Sequence, residues 1–320
     1  MKHLLAATAL ICAAHPALAN RVFVTNERSN DITVLDGETF DVIGTYPAGN
    51  RPRGITISPD GAELYVCASD DDLVRVFDPK TMEELHTLPS GPDPELFVLH
   101  PSGNPLFIAN EDDNIVTVVD TKTHQMLAEI PVGVEPEGMG VSPDGSVVIN
   151  TSETTNMAHF IDTTTFEITA NVLVDSRPRF AQYNADGSKL YVTSEIGGTV
   201  SVIDPATQQI TKKIGFDIRG VLPEAIQPVG ARVTSDGKKL FVALGPANRV
   251  AVIDAQTDEV IDYLLVGQRV WQLAFSPDEK FLYTTNGNSN DVSIIDVAAN
   301  EVVRSVQVGQ QPWGVVVAPD

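Results

Sequence analysis

Two aspartate ladders run through the whole chain with one shared period. Asp60, in the turn Ser-Pro-Asp-Gly, recurs as Ser102, Asp144, Asp186, Asp236, Asp278 and Asp320, in steps of 42, 42, 42, 50, 42 and 42 residues. Asp78, closing the apolar run LVRVFD, recurs as Asp120, Asp162, Asp204, Asp254 and Asp296, and one step earlier as Asp36. Both ladders carry the same insertion in the same interval, which independent chance matches would not reproduce. A period of about 40–45 residues with several short strands per unit is the signature of a β-propeller.

The unit at 49–91, GNRPRGITISPDGAELYVCASDDDLVRVFDPKTMEELHTLPSG, predicts four strands: RGITIS, ELYVCAS, LVRVFD and EELHTL. These runs are rich in Val, Ile, Tyr and Phe and are bounded by turn residues. The first turn has Pro at its second position and Gly at its fourth, which suits a type I turn. The runs are apolar nearly throughout, as expected for a sheet covered on both faces by neighbouring blades.

Residues 20–48 supply only the second, third and fourth strands of a unit, and QQPWGVVVAPD at the other end supplies only a first strand. Together they make one blade. The expected fold is therefore all-β: a single seven-bladed β-propeller over residues 20–320, closed by N- and C-terminal strands that share one blade, with no open seam. Residues 1–19 read as a cleaved signal peptide, with Lys2 in the n-region, an apolar stretch from Leu4 to Ala14 and Ala17-Leu18-Ala19 before the cut. Cys12 follows bulky Ile11, which argues against a lipid-modified cysteine. A periplasmic location is expected.

The charge excludes some partners. Without Lys2, 20 Lys and Arg face 43 Asp and Glu, a net −23. Such a surface repels nucleic-acid phosphates and anionic lipid and favours cationic partners. No stretch has the length to span a membrane. Only Cys67 remains after cleavage, so no internal disulfide forms, and it reads as a small buried hydrophobe. A monomer is expected.

The second strands read FVTN (23–26), YVCA (65–68), FIAN (107–110), YVTS (191–194), FVAL (241–244) and YTTN (283–286). They resemble the YVTN family of propeller repeats. FVALGPANRVAVID (241–254), VGQRVWQLAFSPDEKFLYTTNGNSNDVSIID (266–296) and QPWGVV (311–316) resemble the PQQ-dependent catabolism-associated β-propeller proteins. That resemblance implies an exported protein working beside periplasmic quinoprotein alcohol dehydrogenases and their cytochromes. It brings no catalytic residues.

In a blade, the opening of the first strand and the loop between the second and third strands lie on one face, here called the top. The residues flanking the opening Pro position then ring the channel mouth: Arg51 and Arg53, Asp93 and Glu95, Glu135 and Glu137, Arg177 and Arg179, Gln227 and Val229, Arg269 and Trp271, Gln311 and Trp313. Two adjacent blades carry two acids each, flanked by blades carrying two arginines, and the only two tryptophans share one register. The structural alternative is internal pairing, Arg53 with Glu95 and Arg179 with Glu137, under tryptophan plugs. The functional one is a binding site at Arg51, Arg53, Asp93, Glu95, Glu135, Glu137, Arg177, Arg179, Arg269, Trp271 and Trp313. Arginine suits bidentate carboxylate or phosphate recognition, and tryptophan suits stacking or anchoring.

No catalytic set is assigned. The histidines His86, His100, His124 and His159 fall on different blades and are expected not to converge; there is no Cys-x-x-Cys-His, and no mouth position is His. Loop acids at Ser69 to Asp72, Glu111 to Asp113 and Glu153 lack calcium-loop spacing, so neither a metal nor another cofactor is assigned. The insertion, 214–228, is expected on the top face beside Arg177 and Arg179. Two functions follow. One is a non-enzymatic binding module that holds a partner, a quinoprotein dehydrogenase or its cytochrome, or a small ligand. The other, by analogy with lactonase propellers, is a hydrolase using Glu95 and Glu137, with Arg53 and Arg179 gripping a substrate carboxylate.

Overall fold

A computed structural model describes residues 20–319. The signal-peptide reading of residues 1–19 and the last ladder position, Asp320, lie outside the described residues. Seven four-stranded antiparallel sheets form the ring. The first blade comprises Pro52–Ile57, Leu64–Ala68, Leu73–Phe77 and Glu84–Pro89, within a residue or so of the boundaries read from sequence. Blades two to six open at Pro94, Pro136, Pro178, Ala231 and Val270. The seventh is the shared one: Pro312–Val317 pairs with Arg21–Asn26, which continues into Asp31–Asp36 and Val42–Pro47.

The repeat markers have local causes. Asp36, Asp78, Asp120, Asp162, Asp204 and Asp254 each accept backbone N–H bonds from the residues two and three further on, capping the hairpin from third to fourth strand. The other ladder braces the bottom turns: Asp60 accepts from Ser58 and Ala62, and Asp144 from Ser142 and Ser146. The Thr of the YVTN-like strands joins blades. Thr25, Thr151, Thr193 and Thr285 donate through Oγ1 to the carbonyls of Arg53, Pro178, Val229 and Trp313, in or just before the next blade's innermost strand.

The core lies between blades. One cluster packs Val22, Leu35 and Val315 of the seventh blade against Tyr283, Val292 and Val306 of the sixth. Another packs Phe23, Ile32 and Val34 against Leu64, Val66 and Phe77 of the first. Coverage on both faces holds for the inner strands, as in Leu64–Ala68, all buried. It fails for the fourth strands, which form the outer wall and leave residues such as Val303 half exposed. Cys67 is buried and free. The histidine expectation needs correcting. His86 and His124, on adjacent blades, stack with ring centroids 3.9 Å apart, because the outer strand of the first blade lies against the second blade's hairpin.

Candidate functional site

The opening of each innermost strand places one side chain in each of two tiers. The first residue of each flanking pair forms the outer tier. Arg51, Asp93, Glu135, Arg177, Arg269 and Gln311 all have a positive φ, between 50° and 58°. Left-handed backbone at a non-glycine residue costs about 1–2 kcal/mol, so each needs something to hold it. That something is a latch. The side-chain oxygen of Asn30, Asp72, Asn114, Asn156, Asn248 or Asn290, in the preceding blade's loop between second and third strands, accepts the backbone N–H of the outer-tier residue at 2.9–3.1 Å. The exception is the joint from the fourth to the fifth blade. Gly198 stands at the latch position there, and Gln227, at the end of the insertion, has no positive φ.

The second residue of each pair forms an inner tier sunk into the ring. Glu95, Glu137, Arg179 and Trp313 are 0%, 1%, 5% and 1% exposed. Glu95 receives Arg53 Nη1 on Oε2 in a short contact, and Arg51 Nη2 on Oε1 at 2.9 Å. Arg53 also reaches Glu27 at 2.9 Å, and Arg51 reaches Asp93 at 2.5 Å. On the opposite side Arg179 contacts Glu153 and lies 3.2 Å from Glu137 and 3.7 Å from Glu195. Glu195 also takes Arg177 at 3.1 Å and Arg269 at 2.7 Å. Arg53 lies over Trp313 and Arg179 over Trp271, each 5.6 Å from the ring centroid, while Arg269 is 4.1 Å from that of Trp271.

All eleven residues singled out from sequence therefore meet at the mouth, but their roles divide. The pairs Arg53–Glu95 and Arg179–Glu137 exist. Arg53 cannot also grip an incoming carboxylate, because Glu27 and Glu95 take its nitrogens, and Arg179 is buried among Glu137, Glu153 and Glu195. Trp313 cannot anchor a protein partner: it is 1% exposed, with Arg53 over its ring. Arg51, Asp93, Glu135, Arg177, Arg269 and Trp271 keep exposed surface on the top. Sequence reasoning named Glu111 and Glu153 only as loop acids and missed Glu27 and Glu195, although Glu27, Glu153 and Glu195 supply most of the counter-charge. All four follow directly on a second strand, at the same 42-residue spacing or twice it, and that spacing was the signal available.

Acids outnumber arginines at the mouth, and burial pushes several of their pKa values up. Burial, then Glu95, pushes Glu111 up to about 8. The same two causes lift Asp93 to about 6 against the pull of Arg51. Glu137 is held well above the ordinary carboxylate range by burial; its contact with Arg179 lacks hydrogen-bond geometry, and both its oxygens lack donors. Burial would raise Glu95 too, but Arg53 and Arg51 outweigh it and lower it. For Glu111 the folded state then binds more protons than the unfolded chain between about 4.5 and about 8. Its contribution to stability falls as pH rises across that window. The melting temperature is expected to drop between pH 5 and pH 8, and Glu111→Gln to flatten that slope; an equally steep slope in the variant, by scanning calorimetry, would exclude Glu111 as its source.

Asp93, Glu95 and Glu111 bring carboxylate oxygens within 4.8 Å of one another, the set here that could approach a cation. Two of the three already hold Arg51. The insertion sits on the top face, with a short 3-10 turn at Pro223–Ala225; Ile218 and Ile226 are buried and Leu222 is 66% exposed. Beside it, Glu135, Glu153, Thr154, Arg177 and Ile196 line a pocket of about 270 Å³.

Comparison with known proteins agrees with this architecture. A family model described as the YNCE-like beta-propeller matches residues 220–319, and one described as the 7-bladed lactonase beta-propeller matches residues 13–134. The "Uncharacterized protein YncE" of Salmonella typhi is 29% identical over 62 residues, which span 19% of this chain and 18% of that protein's length. Among solved structures, Kuenenia stuttgartiensis hydrazine synthase superposes with a TM-score of 0.80 at 22% identity, covering 92% of this chain and 99% of that one. A functionally unknown protein from Desulfotomaculum acetoxidans gives 0.81 at 13% identity, covering 94% and 100%. At such identities the likeness is one of fold.

Proposed function

We propose that this protein is an exported, non-enzymatic binding module of PQQ-dependent alcohol catabolism that docks a periplasmic partner, a quinoprotein dehydrogenase or its cytochrome, on its top face. The observation that carries the docking surface is the pairing of exposed apolar and charged groups there. Ile196, 61% exposed, borders a pocket with Arg177 and Glu135, and Leu222, 66% exposed, stands in the insertion that joins the fourth blade to the fifth. Apolar contacts bordered by charge suit a protein interface, and the acidic surface suits a partner with a cationic face. The resemblance of 241–254 and 266–296 to the quinoprotein-associated propellers supports the context. The inner tier is spent on itself and serves as the rigid floor.

The test is a binding titration of the purified protein against a quinoprotein alcohol dehydrogenase and against its cytochrome. Leu222→Asp and Ile196→Asp are each expected to weaken binding by about 2 kcal/mol, the scale of an interface hot spot. Lys122→Glu, in an exposed bottom-face turn, is expected to leave it unchanged. No binding to either protein, or equal losses from top and bottom variants, rejects the docking face.

A lactonase-like hydrolase is the second reading. It is favoured by the Asp93–Glu95–Glu111 cluster, which lies inside the segment matched by the lactonase model. Metal analysis with a lactone-hydrolysis screen separates the two: bound metal together with turnover would displace the binding-module reading.

A further inference from the structure

Below the inner tier all seven innermost strands line a central cavity of about 290 Å³. Leu96, Phe97, Met139, Phe180 and Val315 give it apolar walls. Arg232 is the one charged side chain among its described lining residues. At the equivalent position the other blades carry Thr56, Val98, Gly140, Gln182, Ala274 and Val316, so the charge is peculiar to the fifth blade.

Arg232 has no ion pair among the described residues. Its Nη1 donates to the Ala231 carbonyl at 2.8 Å, and the guanidinium stacks 4.8 Å from the centroid of Phe180. Burial alone acts on it and lowers it to about 10. The five arginines of the mouth, Arg51, Arg53, Arg177, Arg179 and Arg269, each face a carboxylate, and Arg232 does not.

Two more lining groups are unpartnered. Gln272, 4% exposed, has no hydrogen-bond partner for Nε2 or Oε1, and Trp313, 1% exposed, has none for Nε1. Buried polar groups are ordinarily satisfied. A guanidinium, an amide N–H and an indole N–H share one cavity with no carboxylate to receive them. Thr56, Leu99, Gln182 and Arg232 keep some exposure and lie on the bottom side of the inner tier, whereas Trp313, in that tier, is buried. The opening is thus away from the acidic mouth, which would repel an anion.

We propose that the central channel is a second ligand site, independent of the top-face surface, which takes a small organic monocarboxylate from the bottom face. Arg232 carries the charge recognition, Gln272 and Trp313 add neutral donors, and the Leu96–Phe97–Met139–Phe180 wall receives the apolar body of the ligand.

The experiment is a thermal-shift and tryptophan-fluorescence titration of the full chain with sodium butyrate, beside butyramide and sodium phosphate at equal ionic strength. Butyrate is expected to raise the melting temperature saturably and to change the Trp emission, with little effect from the other two. Arg232→Met is expected to melt no lower than the native protein without ligand, since it removes an unpaired charge from an apolar wall, and to lose the butyrate response. Gln272→Leu is expected to weaken butyrate by about tenfold. An equal response to butyramide, an equal response to phosphate, a response retained in Arg232→Met, or no saturable response at all would each overturn the site.

Discussion

Glu95→Ala is expected to lose about 3–5 kcal/mol of stability, the cost of removing one partner from a buried ion pair. The value belongs at the upper end because one carboxylate serves two guanidiniums. Glu95 is fully buried, and its two oxygens are divided between Arg51 and Arg53. With it gone, Arg53, 16% exposed, keeps only Glu27. Exchanging the charges of Arg53 and Glu95 does not restore the site either, since a carboxylate at 53 would meet Glu27 where Arg53 now does. The contrasting substitution is Glu135→Gln in the outer tier, where exposed charge contributes about 0–1 kcal/mol. Chemical denaturation of both variants gives the comparison. If Glu95→Ala costs no more than Glu135→Gln, the inner tier is not a structural ion network.

Removing residues 311–320 should have a larger effect still, abolishing cooperative unfolding or leaving the protein insoluble. The segment carries the innermost strand Pro312–Val317, which pairs with Arg21–Asn26 and buries Trp313 and Val315. Without it, Arg21–Asn26 presents an unpaired edge toward the channel, Thr285 loses the Trp313 carbonyl, and the clusters shared with the sixth and first blades lose Val315 and Val316. A truncated protein with an unchanged, single sharp melting transition would show that the shared blade is dispensable.

The fold was legible because each repeat marker does one local job at each recurrence. Asp78 and its equivalents cap a hairpin, and that need recurs once in every blade regardless of what the blade binds. The mouth register was legible for the same reason. Its division into tiers was not. Residues two apart on a strand share a face, so Arg51 and Arg53 read as equivalent; the left-handed backbone at Arg51 turns the first outward while the second stays inside. The His86–His124 stack was hidden because it joins an outer strand to a neighbour's hairpin, a contact between units that no single unit encodes. Arg232 was passed over because it sits in the middle of a strand, where a repeat comparison records only a departure from the usual small or apolar residue.

The latches make the ring uneven. Six joints are pegged by an Asn or Asp side chain; the fourth-to-fifth joint has Gly198 and a longer connection in its place. Across that gap the chief charged tether is Glu195, holding Arg177 and Arg179 of the fourth blade and Arg269 of the sixth. Such a ring is expected to give way unevenly, as a clasp bracelet does, with one carboxylate as the pin, on the side where Arg177, Ile196 and the insertion stand.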